Sequence, residues 1–140
     1  MVIIKLIGKE IKFKPVNGFS DKELSLMVAR ELVKRLKKRI EEQDSKWKPL
    51  NKEYLEYKKR HGLDLRKWVA TGELESSITV KHSHGSYYVT FLRKKNKEGR
   101  FFETIARANE YGTSRIPPRP LFRPVLEAFR KEMLESDILV

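Results

Sequence analysis

The chain contains no cysteine. Disulfides, thiolate zinc sites and cysteine nucleophiles are excluded, and the absence fits synthesis in a reducing cytoplasm. Long apolar runs are missing as well. The stretch Met1 to Ile7 is short and holds Lys5, too little for a signal-peptide core or a membrane span. No other run approaches the roughly 20 residues that spanning needs, so a soluble protein with no membrane partner is expected. Acids are the minority charge, 19 against 31 Lys and Arg, which leaves a formal +12. Such an excess attracts DNA, an acidic protein surface or an anionic membrane, and it says nothing about fold. A solvated basic protein with no polyanion partner has the same composition.

Familiar catalytic patterns are absent too: no phosphate loop, no Gly-x-Ser-x-Gly and no two-His zinc helix. Histidines number three. His82 and His84, two apart, share one face of a strand and so resemble half of a metal site. They flank a turn, and no third or fourth ligand stands nearby, so neither metal nor cofactor is expected. His61, before Gly62, reads as a helix-end residue. Glu103 and Glu110 have no partner nucleophile and are assigned to the surface or an interface. No enzymatic activity is expected.

What the chain does contain is 140 residues, 39% hydrophobic and 36% charged, suited to one domain over 1–140. Short β pieces at 2–7 and 11–13 surround Gly8. Ser20 and Glu23 form a capping box, with Phe19 and Leu24 placed as a hydrophobic staple. Leu24, Val28, Leu32, Leu36 and Ile40, joined by Met27, predict a helix from Ser20 to about Gln43. Asn51 caps a short helix that Gly62 ends. Residues 63–69 stay ambiguous. Residues 71–78 read as a cap, one helical turn and entry to a strand, with Thr71, Leu74 and Ile78 inward. Residues 78–92 form a hairpin about His84–Ser86. Periodicity admits strand or helix for 101–108. Pro117, Pro118 and Pro120 stiffen the segment from Gly112 to Pro124. Pro124 opens a last helix with Val125, Leu126, Phe129 and Met133 on its apolar face. The tail from Asp137 frays or docks on a neighbour. The fold class is α+β: a long N-terminal helix and a C-terminal helix on a small, mainly antiparallel sheet.

Basic clusters lie at Lys34–Arg39, Lys58–Arg60 and Arg93–Lys97. Phosphate contacts need only such charges. None is interleaved with aromatics as single-strand stacking requires, and no helix-turn-helix or ribbon motif appears. Lys34, Lys37, Lys38, Arg93, Lys94 and Lys95 are the candidate contacts to DNA or an acidic partner.

Three segments in order carry a family pattern. The first is Trp47-Lys-Pro-Leu50 with Tyr54 and Lys58. The second is Thr71-Gly-Glu-Leu-Glu-Ser-Ser-Ile78. The third is Asn109-Glu-Tyr-Gly-Thr113 followed by Ile116-Pro-Pro-Arg-Pro-Leu-Phe-Arg-Pro124. Together they resemble the phage tail-completion and virion-morphogenesis proteins, including the Mu-type group, and the related head–tail joining and neck proteins. Those families run similarly from a Trp-x-Pro-Leu segment, through Thr-Gly-x-Leu-x-x-Ser-Ile, to Tyr-Gly-Thr and Pro-x-Arg-Pro-Phe before a final helix. Leu121 stands where the family usually has Phe, and Phe122 follows at once.

The resemblance implies a structural protein of a phage or prophage particle, forming a ring at the head–tail junction or tail end. Its partners would be copies of itself, other head and tail proteins and, non-specifically, packaged DNA. It would reside in the host cytoplasm during assembly and then in the virion. The assembly interface would be Tyr111, Gly112, Thr113, Pro118, Arg119, Pro120 and Phe122, with the prolines holding Arg119 and Phe122 out on a stiff arm; a rigid loop that only packs its own core is the alternative for this segment. A non-specific nucleic-acid-binding protein is the alternative.

Overall fold

Ser20 begins the first helix as expected. In a computed structural model, which describes residues 2–136, Ser20 Oγ accepts from the Glu23 N–H at 3.1 Å. The Glu23 carboxylate accepts from the Ser20 N–H at 3.4 Å, completing the capping box. Helix α1 (Asp21–Glu42) follows, and Leu24, Val28, Leu32, Leu36 and Ile40 are all buried along it. Two expectations fail at the margin: Phe19 is 45% exposed and Met27 53%. A four-residue repeat overshoots the 3.6-residue turn and advances about 40° per step. The buried side therefore lies toward Ser25 and Ala29, away from Met27. The Ser25 hydroxyl is satisfied by the Asp21 carbonyl at 2.6 Å.

Four strands follow the order β2-β1-β4-β3, with β1 (Val2–Leu6), β2 (Lys9–Phe13), β3 (Ile78–Ser83) and β4 (Ser86–Phe91). β1 and β2 are antiparallel, Ile4 opposite Ile11. Their turn, Ile7–Gly8, has positive φ at both residues, as does His84–Gly85 between β3 and β4. That pattern matches the two-residue turns whose twist suits a hairpin. A parallel pairing of β1 with β4, Ile4 opposite Tyr87 and Leu6 opposite Val89, joins the hairpins. The fold is α+β with a mostly antiparallel, mixed sheet, as the sequence predicts. Asp137–Val140, the expected frayed or docking tail, lies outside the described residues.

By its packing the chain divides into two compact units. One comprises Met1–Leu36, Thr79–Thr90 and Phe122–Val140; the other comprises Lys37–Ile78 and Phe91–Leu121. In the first unit, Ile4, Leu6, Ile11, Phe13 and Val89 are the buried residues of the sheet among those described, and Phe122, Val125, Leu126 and Phe129 those of helix α5 (Phe122–Glu135). Phe129 meets Phe13 edge to face at 6.2 Å. Arg35 lies over the Phe129 ring at 5.2 Å and donates to Glu132 at 2.7 Å. Arg130 donates to the Glu10 carbonyl. These contacts tie α5 to α1 and to β2.

The second unit holds α2 (Lys52–Arg60), α3 (Glu73–Ser76) and α4 (Phe102–Tyr111). Asn51 caps α2 through its Oδ1, which accepts from the Tyr54 N–H at 2.7 Å. Leu74 and Ile78 are buried as expected. Thr71 is not: it is exposed, and its Oγ1 accepts from the Glu73 N–H at 3.3 Å, a capping role that needs the side chain outside. The ambiguous 101–108 segment becomes α4 because Phe102, Ala106 and Glu110, four apart, turn to one buried side. Residues 63–69 form a loop closed by the Asp64 N–H on the Ala70 carbonyl at 2.9 Å.

Candidate functional site

Trp47-Lys-Pro-Leu50 leaves α1 through a tight bend, with the Trp47 N–H on the Asp44 carbonyl at 3.1 Å. Pro49 biases Lys48 toward extended backbone, where the carbonyls of Lys48 and Pro49 have no helical partner. Arg119 supplies one. Its Nε donates to Lys48 O at 2.7 Å and its Nη2 to Pro49 O at 2.8 Å. Two indoles complete the ring of contacts: Trp47 Nε1 donates to Pro120 O at 2.7 Å, and Trp68 Nε1 to Arg119 O at 2.9 Å. Both are buried, 6.4 Å apart between ring centroids. Trp68 has φ +68°, unusual for a bulky side chain. Its burial and hydrogen bond hold it there.

The third segment is anchored on its other side. The Arg119 N–H donates to Asn109 O at 2.7 Å, and the Leu121 N–H to Glu110 Oε1 at 2.8 Å. Gly112 has φ +77°, and a Cβ there would lie 2.8 Å from Pro118 N. Only glycine lets the chain leave α4 in this direction and fold Pro118 against it. Thr113 closes the bend: its N–H donates to Ile116 O at 2.9 Å, and its Oγ1 accepts from the N–H groups of Arg115 and Ile116 at 3.1 and 3.2 Å.

Beside this cluster lies a second buried cation. Lys58 is 2% exposed. Its ammonium donates to Arg66 O at 2.8 Å and to Val69 O, and it sits 5.3 Å from the Tyr54 ring centroid. Burial pushes its pKa down to about 8; the Asp64 charge opposes the shift, and Arg119 and Arg66 add to it. Burial likewise lowers the Arg119 guanidinium from its usual value. Among the described residues no carboxylate lies within ion-pair distance of either cation. Both are held by backbone carbonyls. The arrangement fixes backbone from four parts of the chain against one another.

The assembly residues divide into two sets. Tyr111 (53% exposed), Thr113 and Pro118 face solvent. Arg119 and Phe122 do not stand out on an arm: they are 4% and 3% exposed. The prolines do stiffen the segment, but the open carbonyls of Lys48 and Pro49 draw Arg119 inward, and Phe122 belongs to the buried side of α5. Pro120 is half-buried and lends its carbonyl to Trp47.

Glu110, assigned to the surface or an interface, is 4% exposed, and its carboxylate accepts from the Leu121 N–H. Glu103 is exposed and accepts from Arg107 at 3.1 Å. His82 stacks on Tyr87 at 4.4 Å, and His84 takes the positive-φ turn position with Ser83 Oγ 2.8 Å from its Nδ1. His61 ends α2 as expected, its Nδ1 2.8 Å from Tyr57 O.

Of the basic candidates, Lys34 is exposed, Lys37 is half-buried, and Lys38 lies 3.7 Å from Glu42. Arg93, Lys94 and Lys95 are exposed. Two clusters gain aromatic neighbours that linear spacing hid. Tyr54, Tyr57 and His61 stack in series along α2, beside Lys58–Arg60. Phe101 lies against Arg93 and Lys95. Sequence reasoning passed over Trp68, and it placed Lys58 in the first family segment without expecting it to be buried. The Trp itself was the available signal, because so large an apolar side chain is rarely left in water. Compared with known proteins, this chain matches no protein family, no curated protein and no solved structure.

Proposed function

We propose that this protein is a structural component of a phage or prophage particle, of the tail-completion or neck type, and that it assembles as a ring at the head–tail junction or tail end. In this reading it performs no chemistry, is made in the host cytoplasm and ends in the virion. One observation carries the reading. Residues of the first and third resembling segments, Trp47, Lys48, Pro49, Asn109, Arg119 and Pro120, meet in one hydrogen-bonded cluster. A pattern scattered by chance along a chain has no reason to converge in space. This one does: the carbonyls of Lys48, Pro49 and Pro120 are served by side chains about seventy residues away, and they lose their donors when Arg119 or Trp47 is replaced.

The cluster also gives the exposed residues their use. Tyr111, Thr113 and Pro118 are presented on backbone that is already fixed, so ordering them on a neighbour costs little. Rings close when one patch meets a different patch on the next copy and the rotation returns to its start. Light scattering and sedimentation of the protein, alone and mixed with its particle partners, test this. A ring is expected in at least one condition. Tyr111→Ala is expected to weaken it while leaving the circular-dichroism melt unchanged. A monomer in both conditions refutes the proposal. The alternative, a non-specific nucleic-acid-binding protein acting outside the particle, is favoured by the unpaired cations described next. Antibody labelling of purified particles separates the two.

A further inference from the structure

Between β4 and α4 the chain runs Arg93-Lys-Lys-Asn-Lys-Glu-Gly-Arg100, five cations to one carboxylate. The segment is an ordered hairpin. The Phe102 N–H donates to Lys94 O at 3.2 Å and the Asn96 N–H to Arg100 O at 2.8 Å, and Lys95 and Phe101 form an antiparallel bridge. Its tip is closed by Asn96, whose Oδ1 accepts from the Arg100 N–H at 2.9 Å, and by Gly99 at φ +80°. The Arg93 guanidinium lies 5.5 Å and the Lys95 ammonium 4.9 Å from the Phe101 ring centroid. Among the described residues none of the five cations has a carboxylate within ion-pair distance. The α1 lysines differ, since Lys38 has Glu42 and the helix end carries Glu41 and Glu42.

We infer that this hairpin is a contact for the phosphate backbone of double-stranded DNA, and that it, rather than the lysines of α1, supplies the protein's affinity for DNA. Phosphate binding needs closely spaced, unpaired cations and no base readout, and the hairpin offers these on backbone already ordered. Contacts with the Phe101 ring restrain Arg93 and Lys95 while leaving their N–H donors free for phosphate. An acidic protein partner is less well matched. Protein interfaces are anchored by aromatic or other large side chains entering pockets, whereas the one ring of this hairpin is already engaged by its own cations. The same engagement disfavours single strands, which bind by stacking bases on open rings. The inference holds inside or outside a particle, and its test reads DNA affinity rather than assembly, so it can fail independently of the ring.

The experiment is fluorescence anisotropy of the full chain with a random duplex of about 30 base pairs across a salt series. Each phosphate contact contributes about 0.9 to the slope of log affinity against log salt. Replacing Arg93, Lys94 and Lys95 together with Gln should lower the slope by about 3 and weaken binding near 0.1 M salt by roughly two orders of magnitude. The equal charge change at Lys34, Lys37 and Lys38 should weaken it by less than about tenfold. Arg93→Lys, which keeps the charge, should bind within about threefold of the wild type, by the same counterion reasoning. A hairpin variant that melts like the wild type and binds equally well overturns the inference. So does an α1 variant that loses as much as the hairpin variant. Polyglutamate competing as strongly as duplex at equal charge would reassign the hairpin to an acidic protein and equally overturn it.

Discussion

Replacing Lys58 with methionine sets two buried-state effects against each other, and pH separates them. The wild-type ammonium is 2% exposed and donates to the carbonyls of Arg66 and Val69. Burial lowers its pKa from 10.5 to about 8. At about 1.4 kcal/mol per pH unit, that gap represents about 3 kcal/mol of destabilisation by the charged form. Between those two values the unfolded chain holds more protons on this side chain than the folded one, so stability rises with pH. The gain is complete above 10.5 and absent below about 8. Methionine removes the desolvation cost but leaves two carbonyls without a donor, about 1–3 kcal/mol each. The terms nearly cancel or modestly favour the wild type at neutral pH. Toward pH 10.5 the wild type should gain about 3 kcal/mol on the variant. Urea unfolding followed by the fluorescence of Trp47 and Trp68, both buried, measures the difference between the two proteins, in which the other titrating groups largely cancel. A difference independent of pH, or one that moves toward the variant, would refute the reasoning.

Arg119→Met should destabilise the fold by about 2–4 kcal/mol, because the carbonyls of Lys48 and Pro49 lose their donors while one buried charge is relieved. Arg119→Lys should recover only part of this, since an ammonium lacks the planar fork that reaches both carbonyls; chemical denaturation of the two variants checks the order. Gly112→Ala should cost about 2 kcal/mol or more, from the positive φ and the approach of Cβ to Pro118 N, read as a lowered Tm.

Local chemistry was legible. The Ser20–Glu23 box, the Asn51 cap and the Thr71–Ile78 turn into β3 could each be placed from neighbours within a few residues, and the structure has them there. What stayed hidden depends on distant chain. The first family segment singles out Lys58 but not its burial, and the carbonyls of Arg66 and Val69 are what draw it inside. The proline segment announced stiffness but not direction, because Arg119 follows carbonyls about seventy residues earlier. Helix α4 was undecided until tertiary burial picked out Phe102, Ala106 and Glu110. Met27 was misplaced by the drift of a four-residue repeat. The pairing of β1 with β4 leaves no trace in either strand's pattern.

That last pairing governs the order in which the chain can be completed. Ile4 meets Tyr87, so each hairpin can close quickly from local contacts, but the sheet cannot join until more than eighty residues have been gathered into one loop. The entropy of that closure grows only slowly with loop length, yet contacts this distant are the ones that slow folding. On the ribosome the β1–β2 hairpin emerges before β4, and β1 keeps one open edge until β4 has been made. An open edge is a template for pairing with another chain. Chains truncated before Ser86 should therefore tend to associate through β1, a hazard that ends for the intact protein when the second hairpin docks.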